Sequence, residues 1–114
     1  MKRTVAAAFL ATVISGEAGA QLKAFIDGDL LLERCRKTRG TYDFGYCNGY
    51  VTGIADLLAN NNPVNGFRAC IPSNVTLGHV RDTVASWLER NPQHRHNPAD
   101  FLVPSALSEA FPCR

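Results

Sequence analysis

The sequence predicts an all-α fold, a small disulfide-stapled bundle of about four helices. Along most of the chain, apolar residues recur at spacings of three and four, which is the period of a helix and not of a strand. The chain has only 114 residues, and its four cysteines are an even number. These cysteines are Cys35, Cys47, Cys70 and Cys113.

The N-terminal segment has the pattern of a secretory signal peptide. A cationic start at Lys2 and Arg3 precedes an apolar run over Val5–Ile14, and small residues follow at Ala18, Gly19 and Ala20. The apolar run is too short for a membrane-spanning helix, which needs roughly 20 residues. We therefore expect residues 1–20 to be removed after Ala20 and residues 21–114 to form a single helical domain without a membrane segment.

Export determines how the cysteines are interpreted. An oxidising compartment outside the cytoplasm favours two disulfides, and a domain this small needs them because its core is small relative to its surface. Each bridge typically adds about 2–4 kcal/mol of stability. Four cysteines allow three connectivities, and the sequence alone does not choose among them.

The charge distribution argues against nucleic acid as a partner. The net charge is +2 for the whole chain, and loss of Lys2, Arg3 and Glu17 with the signal peptide leaves the domain close to neutral. Its basic residues form no long stripe. The densest basic segment, Arg34–Arg39, is interpreted as a solvated helix end.

The first helix is predicted from about Gly28 to Lys37. Either Asp27 or Asp29 can cap its start, and Gly40 is expected to end it.

The second helix is predicted from about Asp43 to Asn60 and carries two distinct rows. The core row is Phe44, Cys47, Val51, Ile54 and Leu58. The other row is Gly45, Gly49 and Gly53, and each helical glycine costs roughly 1 kcal/mol relative to alanine. We expect another helix or segment to pack closely against this bare row; the alternatives are a face left open for a ligand or partner and a homodimer seam.

The segment Asn60–Arg68 is predicted to be a loop rich in turns. Phe67 is its most unusual residue, because an aromatic side chain in a polar loop either folds back onto the core or forms an apolar anchor for a partner.

The third helix is predicted to begin near Ser73 or Thr76 and to stop at Asn91-Pro92. Its expected buried residues are Leu77, Val80, Val84, Trp87 and Leu88.

The fourth helix is predicted to start with Asn97 as cap and Pro98 in the first position, and to end at Phe111-Pro112. Pro104 lacks a backbone N–H, so we expect a kink or restart there.

No pattern in the sequence predicts catalysis, a metal site or a cofactor. The cysteines are expected in disulfides, and His79 has no nearby thiol to activate. His94 and His96 supply two imidazoles where a zinc site normally needs three or four ligands. The chain is therefore predicted not to be an enzyme.

Several motifs taken together resemble one family, the Rap/Tai immunity proteins. They are Cys47–Asp56 (CNGYVTGIAD), Cys70-Ile71-Pro72, Trp87-Leu88, Asn91-Pro92, Leu102-Val103, Ala106-Leu107 and Ala110–Cys113 (AFPC). The resemblance covers nearly all of residues 21–114. It implies a small all-α protein of the Gram-negative periplasm that neutralises a peptidoglycan amidase effector delivered by a type VI secretion system.

Three further expectations concern the mode of inhibition, the contact surface and the disulfides. The protein would inhibit its cognate amidase effector by steric occlusion. The predicted contact residues are Asn61, Asn62, Val64, Phe67 and Arg68. By similarity to other small periplasmic helical folds, the expected disulfides are Cys35–Cys70 and Cys47–Cys113. The alternatives are a stress-protective or chaperone-like periplasmic protein and a purely structural envelope protein.

Overall fold

The protein is described from a computed structural model covering residues 24–114, and within that range it is built from four α-helices without a strand. The helices are α1 (Gly28–Cys35), α2 (Tyr42–Ala59), α3 (Leu77–Arg90) and α4 (Ala99–Ala110), with a short 3-10 helix at Pro92–His94. The predicted all-α, disulfide-stapled bundle is confirmed. The predicted signal peptide, residues 1–20, lies outside the described residues.

Side-chain caps fix the start of three helices. Asp27 accepts a hydrogen bond from the Leu30 backbone N–H at 2.9 Å and begins α1. Thr41 accepts from the N–H of Phe44, so α2 begins one residue earlier than predicted. Thr76, one of the two predicted alternatives, caps α3. Each such cap typically contributes about 1 kcal/mol.

Helix α1 is shorter than predicted. It ends at Cys35, and the Arg36 N–H closes its last turn on the carbonyl oxygens of the preceding residues. Gly40 does not end the helix; it lies in the turn before α2 with a φ of 86°. Glycine has no Cβ and adopts this left-handed conformation without strain.

The core lies between the four helices, and no polar or charged side chain is buried in it among residues 24–114. Trp87 and Leu88 are buried as predicted, whereas Leu77 is 45% exposed, so its predicted burial is wrong. Leu77 is the first residue of α3, ahead of the turns that pack on the bundle. The largest fully buried side chains are Leu31, Leu58, Leu88, Leu107, Val51, Val84, Val103, Pro104 and Cys47.

Pro104 lies inside α4 without breaking it. The helix runs from Ala99 to Ala110 with Pro104 fully buried, so the expected restart is wrong. Pro98 precedes the helix and no side-chain cap is present, so the predicted capping by Asn97 is also wrong. Proline cannot donate to the carbonyl four residues earlier, that of Asp100. The side-chain amide of Asn65 donates to this oxygen instead, at 2.8 Å.

The disulfides join Cys35 to Cys47 and Cys70 to Cys113, which corrects the expected pairing. Cys35 ends α1 and Cys47 lies in the second turn of α2, so the short connection between the helices brings the two together. Cys70 lies beside the C-terminal segment that contains Cys113, since the Cys70 N–H donates to the Phe111 carbonyl at 2.8 Å.

Within residues 24–114, no helix combines the length and the apolar character needed to cross a membrane.

Candidate functional site

A row of three tyrosines lies along the outer side of α2. Tyr42, Tyr46 and Tyr50 follow one another at four-residue spacing, which places them on one side of the helix. Their ring centroids are 6.4 Å apart for the first pair and 6.2 Å for the second, and the second pair is stacked. Tyr42 is 78% exposed, whereas Tyr46 and Tyr50 are partly buried against the core.

Arg34 of α1 holds the middle of this row. Its guanidinium lies over the Tyr46 ring at 4.1 Å from the centroid, a cation–π contact. The Arg34 Nε is also 4.0 Å from the Asp43 carboxylate. The Arg34 cation is therefore already paired with Asp43, next to Tyr42 at the N-terminal end of the row, and it restricts the motion of Tyr46.

The three glycines of α2 form an exposed row beside the tyrosines. Gly45, Gly49 and Gly53 are all exposed, and a Cβ at any of the three would meet no atom of residues 24–114 within 4 Å beyond the backbone of the helix itself. The expectation that another segment packs against them is wrong. The reason is that the bundle packs on a different side of α2, the side of Cys47 and Val51.

Leu57 extends the apolar surface toward the C-terminal end of α2. It is seven residues after Tyr50, on the same side of the helix, and is 48% exposed. We call Tyr42, Tyr46, Tyr50 and Leu57, together with the glycine row, the tyrosine face. The Leu57 carbonyl accepts a hydrogen bond from the Asn62 N–H at 2.9 Å, so the loop begins where this face ends.

The loop after α2 contains a tight two-residue turn. Val64 and Phe67 exchange backbone hydrogen bonds of 3.0 and 2.9 Å. Between them, Asn65 and Gly66 have φ values of 50° and 84°. Positive φ at both central positions is the arrangement that the Asn-Gly sequence favours in a two-residue hairpin turn.

Two side-chain contacts fix this turn on the start of α4. The Phe67 ring packs edge-on against Phe101 at a centroid distance of 5.1 Å, and the Asn65 amide donates to the Asp100 carbonyl. Of the two alternatives for Phe67, the side chain folds back onto the bundle and is partly buried.

The five predicted contact residues divide into two groups. Asn61, Asn62 and Arg68 are exposed, whereas Val64 and Phe67 are partly buried and support the turn. The tyrosine face was not predicted from the sequence. Its signal is present there, because tyrosines recur every four residues beside glycines that recur every four residues.

Asp100 lies where the loop and the tyrosine face approach each other. Burial raises the pKa of Tyr50 to about 12, with smaller contributions from the negative charge of Asp100 and from Tyr46. Tyr50 is consequently a neutral hydrogen-bonding phenol throughout the physiological pH range.

A shallow cavity of about 270 Å³ lies between α2 and α3. Its walls are largely apolar and include Ala55, Ile71, Val75 and Leu77. Among the described residues, its polar lining consists of Asp56, Thr52, Ser73 and Thr76, and the hydroxyls of Thr52 and Thr76 already bond to the backbone of their own helices.

Two of the three histidines take part in aromatic contacts. His79 lies 5.9 Å from the Phe111 ring, and His94 stacks on Trp87 at 6.3 Å. Within the described part of the chain, no three histidine, cysteine or acidic side chains are grouped so that they could hold a metal ion.

Comparison with known proteins identifies the family. Neither the curated proteins nor the solved structures contain a match to this chain. The family model described as Rap1a immunity proteins matches residues 27–113, a range that includes all four helices and both disulfides. The chain belongs to the family of Rap1a immunity proteins.

Proposed function

We propose that this protein is a periplasmic immunity protein that binds a peptidoglycan amidase effector of a type VI secretion system and inhibits it by covering its active site. The match to immunity proteins over residues 27–113 carries the proposal. An immunity protein for a secreted effector acts by binding, and the chain is not an enzyme. Beyond family membership, we propose that the effector is an amidase, that a type VI secretion system delivers it and that this protein acts in the periplasm.

Two features support action in the periplasm. All four cysteines are in disulfides, which persist in oxidising compartments and are rare in the cytosol. The first 20 residues have the sequence pattern of an export signal, with cleavage proposed after Ala20. A peptidoglycan amidase would act in the same compartment, so an inhibitor has to be exported to meet it.

The loop after α2 is proposed to contact the effector. Its turn is held by the Asn65 hydrogen bond and the Phe67 ring contact, so binding would order few additional groups. Asn61, Asn62 and Arg68 are exposed and offer hydrogen-bond donors, while Val64 and Phe67 keep the turn in place.

Periplasmic co-expression tests the proposed function. An amidase effector whose gene lies beside the gene for this protein would be exported to the periplasm, either alone or together with this protein. Lysis would be followed by optical density. We expect the full chain to prevent lysis and a variant lacking residues 1–20 to fail. A catalytically inactive effector controls for toxicity of export itself. Lysis that continues with the full chain present would contradict the proposal.

Arg68→Ala tests the loop separately. Arg68 is exposed and forms no ion pair among the described residues, so the fold should be unaffected. We expect weaker effector binding, with Arg90→Ala on α3 as a control of the same residue type. Equal affinity for the two variants would remove the loop from the proposed contact surface.

A further inference from the structure

We infer that the tyrosine face of α2 is a docking surface for the effector, onto which an apolar surface of the effector with a basic group beside Tyr50 packs lengthwise. The inference rests on the proposed function, because it takes an effector protein as the partner. It adds a second surface to the loop and specifies the chemistry of the partner.

Two large exposed apolar side chains lie on this face. Among the described residues, the large hydrophobic side chains that are at least 40% exposed are Phe25, Tyr42, Leu57, Leu77 and Phe101. Tyr42 and Leu57 belong to the tyrosine face, and the Tyr42 ring adjoins the partly exposed rings of Tyr46 and Tyr50. Single exposed hydrophobic residues are ordinary, but adjoining aromatic rings along one helix offer a larger apolar surface of the kind found at interaction sites.

The residue types on the face are those enriched at binding interfaces. Tyrosine provides a large contact area and a hydroxyl with few rotatable bonds, and tyrosine and arginine are over-represented among residues that dominate binding energy. The Tyr46–Tyr50 stack and the Arg34 contact hold these rings in the unbound protein. Their ordering cost on binding is therefore small.

The glycine row leaves the flank of the tyrosines open. Because no side chain extends from Gly45, Gly49 or Gly53, a partner can reach the α2 backbone beside the rings. Each glycine destabilises the helix by roughly 1 kcal/mol relative to alanine, and no packing contact from the described part of the chain offsets this cost. The glycines alone would not define a site; the adjacent tyrosines do.

Continuity with the loop and the charge beside the face favour the effector as its occupant. The Leu57 carbonyl accepts a hydrogen bond from the Asn62 N–H, so the face continues into the loop that is proposed to contact the effector. At one end of the face, Arg34 is paired with Asp43. Asp100, whose charge acts on Tyr50, forms no ion pair within residues 24–114. An effector with a basic group beside Tyr50 would gain complementary electrostatics.

A size series at Gly49 tests the face without weakening the fold. Gly49→Ala and Gly49→Leu should both raise the melting temperature, because the position is open and both residues favour helix more than glycine. We expect Gly49→Leu to weaken binding of the purified effector by roughly 30-fold or more, the scale of a central interface position, and Gly49→Ala by less. Ser86→Leu, on the exposed side of α3, is the matched control and should bind normally.

Removal of charge tests the chemistry of the partner. The variant Asp100→Asn should bind more slowly, with association that depends less on salt than in the wild type. Glu33→Gln, which removes one exposed carboxylate on α1 without an ion pair among the described residues, controls for the same change in net charge. Equal association rates for Asp100→Asn and this control would overturn the basic-partner assignment.

The outcomes separate this inference from the proposed function. If the wild type binds no amidase effector, both are overturned together. If the wild type binds and Gly49→Leu binds equally well, only the docking face is wrong. Light scattering tests whether a second copy of this chain occupies the face instead. If the wild type is a dimer, and Gly49→Leu is a monomer that binds the effector with unchanged affinity, the face belongs to the second copy and the inference is overturned.

Discussion

Helix α2 has two apolar sides with opposite surroundings. One side, with Cys47, Val51 and Leu58, is buried in the bundle, while the tyrosine face has exposed Tyr42, Leu57 and glycines beside the partly buried Tyr46 and Tyr50. The buried side is attached to α1 by the Cys35–Cys47 disulfide and stabilises the fold. The tyrosine face is only partly packed against the core and contains three glycines that weaken the helix. The comparison indicates that one helix serves stability on one side and recognition on the other.

Adjacent leucines provide the most direct way to break this comparison. Leu58 is 2% exposed and Leu57 is 48% exposed. We expect Leu58→Ala to lower the free energy of unfolding by about 2–5 kcal/mol through lost burial and a cavity. Leu57→Ala should change it by only about 0.5 kcal/mol. Urea denaturation measures the free energy of unfolding of both variants. Similar losses would show that the two sides of α2 contribute equally to stability.

Removal of the Cys35–Cys47 disulfide tests how much the covalent link to α1 stabilises the buried side of α2. Its cysteines are 12 residues apart, and a closed loop of this size is worth about 3 kcal/mol in the chain-entropy account. We expect the double variant Cys35→Ala/Cys47→Ala to lose about that amount in chemical denaturation. Cys70 and Cys113 are 43 residues apart, and their removal should cost slightly more, about 4 kcal/mol. No loss in either variant would contradict a disulfide-dependent fold.

Two glycine-to-alanine changes sharpen the comparison with effects of opposite sign. At Gly53 the added methyl group meets open space, so Gly53→Ala should stabilise the protein by up to about 1 kcal/mol. At Gly28 a Cβ would lie 2.6 Å from Leu102 Cδ1 and 2.9 Å from the Arg95 carbonyl oxygen, so Gly28→Ala should destabilise it. Thermal melts of the pair give the test, and a destabilised Gly53→Ala would mean that the glycine row is packed after all.

The smallest expected effect concerns Tyr50, at the boundary between the two sides. Its pKa is raised from 10.0 to about 12 by burial, by Asp100 and by Tyr46. Because the folded-state pKa is the higher one, the associated stability is fully present below pH 10 and is lost as the pH rises toward 12. Between pH 10 and 12, the free energy of unfolding of the wild type should fall relative to that of Tyr50→Phe. Parallel pH profiles for the two proteins would contradict the burial of the phenol.

The sequence was sufficient for the helices and much of the core, because helical periodicity and capping residues are local signals. Residues such as Val80 and Leu88 were assigned correctly from spacing alone. Asp27 and Thr76 were among the expected caps because their side chains reach only three residues along the chain.

Features that depend on contacts between distant segments could not be obtained in this way. The glycine row has the same spacing whether or not a helix packs on it, and only the arrangement of the bundle leaves it exposed. The pairing of Cys70 with Cys113 depends on the path of the C-terminus. The carbonyl of Asp100 that Pro104 leaves without a helical donor accepts a hydrogen bond from Asn65, a residue 35 positions away in the sequence.

The most direct test of the central claim is a titration of purified amidase effector with this protein while peptidoglycan cleavage is measured. We expect activity to disappear near one molar equivalent, and to persist at the same ratio with Gly49→Leu, because occlusion requires the tyrosine face to be accessible. Full cleavage in the presence of excess wild-type protein would contradict inhibition by binding.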